Sequence, residues 1–138
     1  MTAIDTNILI DVLEDDASRA QRALAALDAR ARKGALVVSP AVYAELCAHP
    51  GWSALEVDRY LASLTIRVDW QPRAETWRKT GAAFSAYAQR RRRSGSSAPR
   101  RLLADFFIGA HASLCAAFIT RDGAFFSRAF PGLHVVTV

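Results

Sequence analysis

Four acidic side chains are the residues of this chain best suited to chemistry, and each lies beside or within an apolar segment. Asp5 follows a short apolar stretch and precedes a helical one, the usual position of a ligand site at the edge of an open α/β sheet. A second apolar stretch ends shortly before Asp122. Glu45 and Asp105 fall inside apolar helical patterns, where an unpaired charge would be unfavourable. We therefore predict that the four side chains converge around a cation.

Three of the four acids also have a purely structural interpretation. Asp5 could cap a helix, because Asp at that position accepts hydrogen bonds from free backbone N–H groups. Asp105 could complement the positive end of a helix dipole, and Asp122 precedes Gly123 in a common turn pair. Considered together, the acids favour a metal, since closely spaced carboxylates cannot all stay ionised without a cation. Oxygen ligands suit Mg²⁺ or Mn²⁺, whereas Zn²⁺ prefers Cys or His.

The elements that must position these acids alternate along the chain. Apolar runs predict strands over residues 3–5, 35–39, 65–68, 118–120 and 133–138, with helices between them. This order indicates a parallel sheet with helices on both faces. A long helix over 73–93 is expected to bury Trp77, Gly81, Phe84 and Ala88, and a helix over 102–117 is apolar all round. The length of 138 residues predicts a single domain, 1–138.

Composition excludes several classes of protein. The chain is 51% hydrophobic without a low-complexity tract, which argues against disorder. Its longest apolar run, 102–119, is interrupted by Asp105, His111 and Ser113, which argues against a membrane span. The first residues show no signal-peptide pattern. Cys47 and Cys115 belong to no metal motif, so we predict reduced thiols in a cytoplasmic protein.

The positive charge is local. Six of the 18 Lys and Arg residues lie in one stretch, on either side of a loop predicted to be flexible over 94–99; they are Arg90, Arg91, Arg92, Arg93, Arg100 and Arg101. A local arginine block beside a Gly/Ser loop is typical of a surface that contacts nucleic-acid phosphates. Such a run can also be no more than a solvated helix end.

An acidic metal pocket beside an arginine patch suggests metal-assisted attack of water on a phosphodiester. The chain has neither a glycine-rich phosphate loop nor a GxSxG nucleophile. A phosphotransferase of the haloacid-dehalogenase kind would use Asp5 as phosphate acceptor. Such an enzyme requires a second Asp two residues later, and this chain has Asn7 at that position. A binding module that grips RNA or a partner without cutting is a further alternative.

The motifs resemble those of a known family. Asp5-Thr6-Asn7 after a short strand, Glu45 in a helix, the segment from Asp105 to Ala112 and Thr120-Arg121-Asp122 together resemble a PIN domain. More narrowly, the chain resembles a VapC toxin of a bacterial type II toxin–antitoxin pair. The resemblance covers essentially the whole chain, and it implies a three-layer α/β/α sandwich with a mainly parallel central sheet.

The resemblance also implies an activity. It predicts a Mg²⁺- or Mn²⁺-dependent endoribonuclease in which Asp5, Glu45, Asp105 and Asp122 line the metal site. Asn7 and Thr120 would orient those carboxylates by hydrogen bonds, and the protein would be a homodimer neutralised by a cognate antitoxin. Gly109 stands where the family more often has Ala, which should loosen helix packing slightly. The arginine block is not part of the family pattern, so its role in RNA binding is inferred from charge alone.

Overall fold

A five-stranded parallel sheet forms the centre of the computed structural model, which describes residues 1–14, 16–95 and 100–138. Its strands are β1 (Thr2–Ile4), β2 (Leu36–Val38), β3 (Ile66–Val68), β4 (Ala117–Thr120) and β5 (Val135–Thr137). Their order across the sheet is β3-β2-β1-β4-β5, and every neighbouring pair is parallel. The three central strands are buried along their whole length, as expected of strands covered on both faces.

Seven helices connect and cover these strands. They are α1 (Thr6–Leu13), α2 (Ala17–Ala31), α3 (Pro40–Cys47), α4 (Ala54–Ser63), α5 (Ala74–Ser94), α6 (Leu103–Ala112) and α7 (Gly123–Ala129). The chain runs outward from β1 to β3 and then crosses back to β4, so right-handed connections place α1–α4 on one face and α5–α7 on the other. The predicted α/β class and its three layers are confirmed. No helix of the described residues is long and apolar enough to cross a membrane.

The turn between β2 and α3 fixes where α3 begins. Ser39 is buried and its hydroxyl accepts a hydrogen bond from the backbone N–H of Val42 at 3.3 Å, while Pro40 occupies the first helical position. Val42 and Leu46 are fully buried on the same stripe of the helix. Glu45 therefore leaves α3 beside its buried stripe, directly above the edge of the sheet.

Two helix predictions were wrong in detail. The helix predicted over 102–117 ends at Ala112, because Ala117 already pairs with Thr2 in the sheet. The buried residues of α5 are Thr76 and Thr80, whereas Trp77 is 55% exposed. The hydroxyl of Thr80 donates to the carbonyl oxygen of Thr76 at 2.8 Å, so this polar group is satisfied within the helix. Aromatic rings make contacts between α5 and α6: the Phe84 and Tyr87 rings each lie 5.2 Å from the Phe106 ring.

The aromatic side chains expected in that core lie at its rim. Phe84 is 36% exposed, and the ring of Trp77 lies 4.5 Å from the ring of Phe107 at the surface of α6. His111, by contrast, is a core residue: it is buried, and its Nε2 lies 3.2 Å from an Asp69 carboxylate oxygen. Of the loop predicted over 94–99, residues 96–99 lie outside the described part of the chain.

The expectation that Gly109 loosens packing was also wrong. A Cβ atom at this position would lie 2.2 Å from the Phe130 ring, which packs directly on the α6 backbone. The glycine is thus required by a close approach between α6 and the segment after α7. An alanine at this position would force Phe130 out of its place in the core.

Replacing Gly109 with Ala should lower the free energy of unfolding by about 1–3 kcal/mol, the usual effect of overpacking a core. Gly81→Ala provides the control, because Gly81 lies within α5 with no atom within 4 Å of an added Cβ. That change should stabilise the protein by about 0.5–1 kcal/mol through helix propensity. Urea unfolding of the two variants would check both values; equal stabilisation by both would contradict the packing argument.

Candidate metal site and the adjoining basic groove

All four acids predicted from the sequence line one pocket of about 340 Å³ at the carboxyl ends of β1 and β4. Asp5 is the last residue before α1, and Asp122 is the last residue before α7. Glu45 comes from α3 and Asp105 from the first turn of α6. Connections leave β1 and β4 toward opposite faces of the sheet, so the pocket lies at the topological switch point of the fold.

Asp5 is the most buried of the four, with 6% of its surface exposed. One carboxylate oxygen, Oδ2, accepts hydrogen bonds from Thr120 Oγ1 at 2.5 Å and from Asn7 Nδ2 at 2.8 Å. The Asn7 side-chain oxygen in turn accepts from the backbone N–H of Arg121 at 3.1 Å. These contacts join the ends of β1 and β4. Asn7 and Thr120 thus contact the carboxylate that the family resemblance expected them to orient.

Glu45 is held by a residue that the sequence did not single out. The hydroxyl of Thr6 donates to Glu45 Oε2, which connects α1 to α3. Thr6 and Glu45 are separated by 39 positions, so only the packing of the two helices brings them together. The one available signal was the place of Thr6 between Asp5 and Asn7.

The remaining two acids use different donors. Asp105 Oδ2 accepts from the backbone N–H of Leu102 at 2.9 Å, so the structural interpretation of Asp105 as a helix-terminal acid holds for this oxygen. Asp122 forms an ion pair with Arg101, whose Nη2 lies 2.5 Å from Asp122 Oδ2. Both Arg101 and Asp122 are about one third exposed at the mouth of the pocket.

Burial, together with the negative charge in the pocket, raises the pKa values of two of the four acids, Asp5 and Glu45. The pKa of Asp5 is raised from 3.8 to about 6, chiefly by burial and further by the negative charges of Glu45 and Asp105; hydrogen bonds from Thr120 and Thr6 oppose this rise. Burial likewise raises the pKa of Glu45, with a further contribution from Asp105 and an opposing one from Thr6. A cation in the pocket would reduce the repulsion between the carboxylates and offset the energetic cost of burying their charges.

The chemistry of these side chains fits a hard divalent ion, because four carboxylates line one solvent-accessible pocket. The charges of Glu45 and Asp105 also disfavour ionisation of Asp5. In the part of the chain that the structure describes, no three Asp, Glu, His or Cys side chains already stand at metal-binding spacing. Each of the four acids instead accepts from a donor of the protein: a hydroxyl, a side-chain amide, a backbone N–H or a guanidinium.

A buried acid behind the pocket, Asp11, was also missed. It is 2% exposed, and its Oδ2 lies 3.1 Å from Nε of Arg121, which lines the pocket. Asn7 and Asp11 stand one helical turn apart on α1, so the backbone of Arg121 binds one and its side chain binds the other. This double contact holds the segment between β4 and α7 in place. No local pattern predicts this contact, because Arg121 is 110 positions from Asp11.

The arginine block lines a groove beside the pocket. This groove, of about 850 Å³, shares Arg101 and Asp122 with the acidic pocket. Its basic lining residues are Arg90, Arg91, Arg93, Arg100, Arg101 and Arg128. Arg92 is exposed on α5 but does not line the groove. Arg128, in the last turn of α7, was not predicted, since it lies outside the arginine run.

The fold and the pocket define an α/β protein with a carboxylate site at the switch point of its sheet. The chain belongs to the PIN domain family, whose model matches residues 2–131. Among curated protein sequences, none matches the chain significantly.

Solved structures share this fold at low sequence identity. A chain of VapBC2 from Rickettsia felis, bound to a DNA fragment from their promoter, has a TM-score of 0.71 at 16% identity, and the match covers 99% of this chain and 97% of that one. A chain of VapBC-1 from nontypeable Haemophilus influenzae has a TM-score of 0.65 at 22% sequence identity, and the match covers 99% of this chain and 96% of that one. A chain of FitAcB from Neisseria gonorrhoeae has a TM-score of 0.61 at 20% sequence identity, and the match covers 99% of this chain and 97% of that one.

The raised pKa of Asp5 makes stability depend on pH in a direction that can be checked. The Asp5 carboxyl binds its proton more tightly in the folded protein than in the unfolded chain. Its contribution to stability is therefore most favourable at low pH and is lost as the pH rises through about 6. With EDTA present, Asp5→Asn should therefore raise the free energy of unfolding by up to about 3 kcal/mol at neutral pH.

That gain should shrink as the pH falls through the folded pKa of about 6, and it should disappear at about pH 3, below the ordinary Asp pKa of 3.8, where the wild-type carboxyl is protonated in both states. Denaturant unfolding of both proteins across this range measures the difference directly. An Asn variant that is less stable than wild type at neutral pH would contradict the interpretation of Asp5 as a repelled, buried charge.

Proposed function

We propose that this chain is a Mg²⁺- or Mn²⁺-dependent endoribonuclease, the toxin of a type II toxin–antitoxin pair that acts in the cytoplasm. The observation that carries the proposal is the meeting of four carboxylates in one pocket that opens into an arginine-lined groove. Membership of the PIN domain family supports it, because the resemblance of the motifs implies nuclease activity.

Asp5, Glu45, Asp105 and Asp122 are the proposed ligands of the metal. When bound, a divalent ion would lower the pKa of water and offset the charge that develops on the phosphate. Thr120 and Asn7 hold one oxygen of Asp5. The Thr6 hydroxyl holds one oxygen of Glu45. These fixed donors pre-organise two acids before any ligand binds.

The remaining residues of the pocket favour hydrolysis without help from the ribose 2′-hydroxyl. The residues that line the pocket include no histidine, and His111 is buried against Asp69 instead. Histidine is the commonest general base in such reactions, whereas water activated by a metal leaves the 2′-hydroxyl out of the reaction. We therefore expect, as the family resemblance also implies, products with 5′-phosphate and 3′-hydroxyl ends. Arg101 and Arg121, which both line the pocket, are placed to contact the phosphate at the cleaved bond.

Cleavage of RNA by the purified chain should stop in excess EDTA and return when Mn²⁺ or Mg²⁺ is added. Asp5→Asn should lower the rate by about 100-fold or more, because it removes a buried ligand charge. Asp28→Asn makes the same chemical change on the exposed surface of α2 and serves as the control. Product ends are read by sequencing the cleaved RNA.

Undiminished cleavage in EDTA would exclude the metal-dependent mechanism. Metal-dependent RNA binding without cleavage by the wild type would instead support the alternative of a catalytically inactive, PIN-like binding module.

The arginine groove is proposed to hold the RNA backbone. Each phosphate contact adds about 0.7 to the slope of log affinity against log salt for a single strand. Replacing the three groove residues Arg90, Arg91 and Arg93 with Ser, in an Asp5→Asn background, should therefore lower the slope by about 2.

Arg92→Ser in the same background is the matched control, since Arg92 belongs to the same run but does not line the groove. Its slope should stay close to that of the parent protein. Binding of a labelled single-stranded RNA at several salt concentrations gives the slopes. Equal slopes for the triple variant and its parent would refute the assignment of the groove.

The toxin assignment draws on the structural neighbours. Chains from the VapBC2, VapBC-1 and FitAcB structures match nearly the whole of this fold. We propose by analogy that this chain forms a homodimer and is neutralised by a cognate antitoxin whose segment covers the acidic pocket.

Expression of the chain alone in a bacterial host should arrest growth, and the Asp5→Asn variant should relieve the arrest at equal protein level. Growth curves with matched immunoblots provide the measurement. Normal growth of cells that express the active wild-type protein would contradict the proposal that the chain is a toxin. It would not bear on the nuclease proposal, which the cleavage assay tests.

A further inference from the structure

Arg101 lies at the junction between the acidic pocket and the basic groove, and it lines both. It precedes α6 and stands next to Leu102, whose backbone N–H donates to Asp105. The residue therefore connects the two acids of the pocket that come from the later half of the chain. The sequence alone presented Arg101 only as the end of a charged run.

Three contacts fix the place of Arg101. Its backbone N–H donates to the Tyr87 hydroxyl at 2.8 Å, which ties the segment before α6 to α5. Its guanidinium carbon lies 4.1 Å from the centre of the Phe125 ring, close enough for a cation–π contact. Its Nη2 lies 2.5 Å from Asp122 Oδ2. The guanidinium is thus held between an aromatic face and a carboxylate.

Asp122 differs from the other three acids in the charge of its partner. Asp5, Glu45 and Asp105 accept from neutral hydroxyl, amide or backbone donors. Within the described residues, Asp122 is the member of the four that is paired with a side-chain cation. An oxygen that is bound to a guanidinium at 2.5 Å does not have the same lone pair available to a metal ion.

We propose that Arg101 competes with the divalent ion for Asp122 and so sets the metal affinity of the site. The inference rests on the proposed metal-dependent function and specifies how this chain regulates it. If Asp122 served as a metal ligand, the Arg101 guanidinium would lose this partner but could keep its contact with Phe125, at the point where the groove meets the pocket. There it could contact an RNA phosphate.

The test is a calorimetric titration of Mn²⁺ into the full chain at fixed ionic strength, without RNA. Arg101→Gln removes the competing cation and should lower the Mn²⁺ dissociation constant by about three- to fivefold, the size expected for a partly exposed ion pair. Arg100→Gln removes the same charge one residue away, from a side chain that lines the groove but not the pocket. It should change the constant much less and so controls for long-range charge.

Equal changes in the two variants, or weaker binding by Arg101→Gln, would overturn the competition. Equal affinities for wild type and Arg101→Gln would overturn it as well, while leaving the metal site itself intact. Failure of both proteins to bind Mn²⁺ would overturn the competition together with the proposed function. Circular dichroism and thermal unfolding confirm that each variant is folded.

Discussion

The burial of a carboxylate among other carboxylates, at the ends of two parallel strands, is the constraint on which the rest of this structure depends. Asp5 is buried at this edge, and the charges of Glu45 and Asp105 add to the cost of ionising it. The fold tolerates this arrangement because threonine, asparagine and arginine side chains surround the acids with donors. A buried carboxylate with a raised pKa is typical of a functional site, and this cluster is the basis of the metal site proposed above.

The sheet topology explains why the acids meet. Parallel strands end at one edge, and the reversal of direction on either side of β1 opens a crevice there. Asp5 and Asp122 reach it from strand ends, whereas Glu45 and Asp105 reach it from helices on opposite faces of the sheet. The Arg121 contacts to Asn7 and Asp11 then fix the two central strand ends relative to each other. The same edge leaves α5 and α7 beside the crevice, which accounts for the adjoining groove.

The sequence predicted those features that depend on local pattern. Short apolar runs identified all five strands, and the acids at their ends followed from the rule for open α/β sheets. Features that depend on contacts between distant segments were not predictable. The Thr6 bond to Glu45 and the Arg121 pair with Asp11 join positions that have no sequence relationship. The buried face of α5 was misassigned because aromatic residues were expected in the core. The buried residues of this helix are Thr76 and Thr80. The need for a glycine at position 109 follows only from Phe130.

The central claim is that the pocket carboxylates bind one or more divalent ions directly. Anomalous diffraction from crystals of the full chain grown with Mn²⁺ tests it most directly, because it locates the ion without reference to activity. We predict an anomalous peak in the pocket at about 2.1 Å from carboxylate oxygens of at least three of the four acids. A Mn²⁺ peak elsewhere on the protein, with none among these carboxylates, would contradict the account.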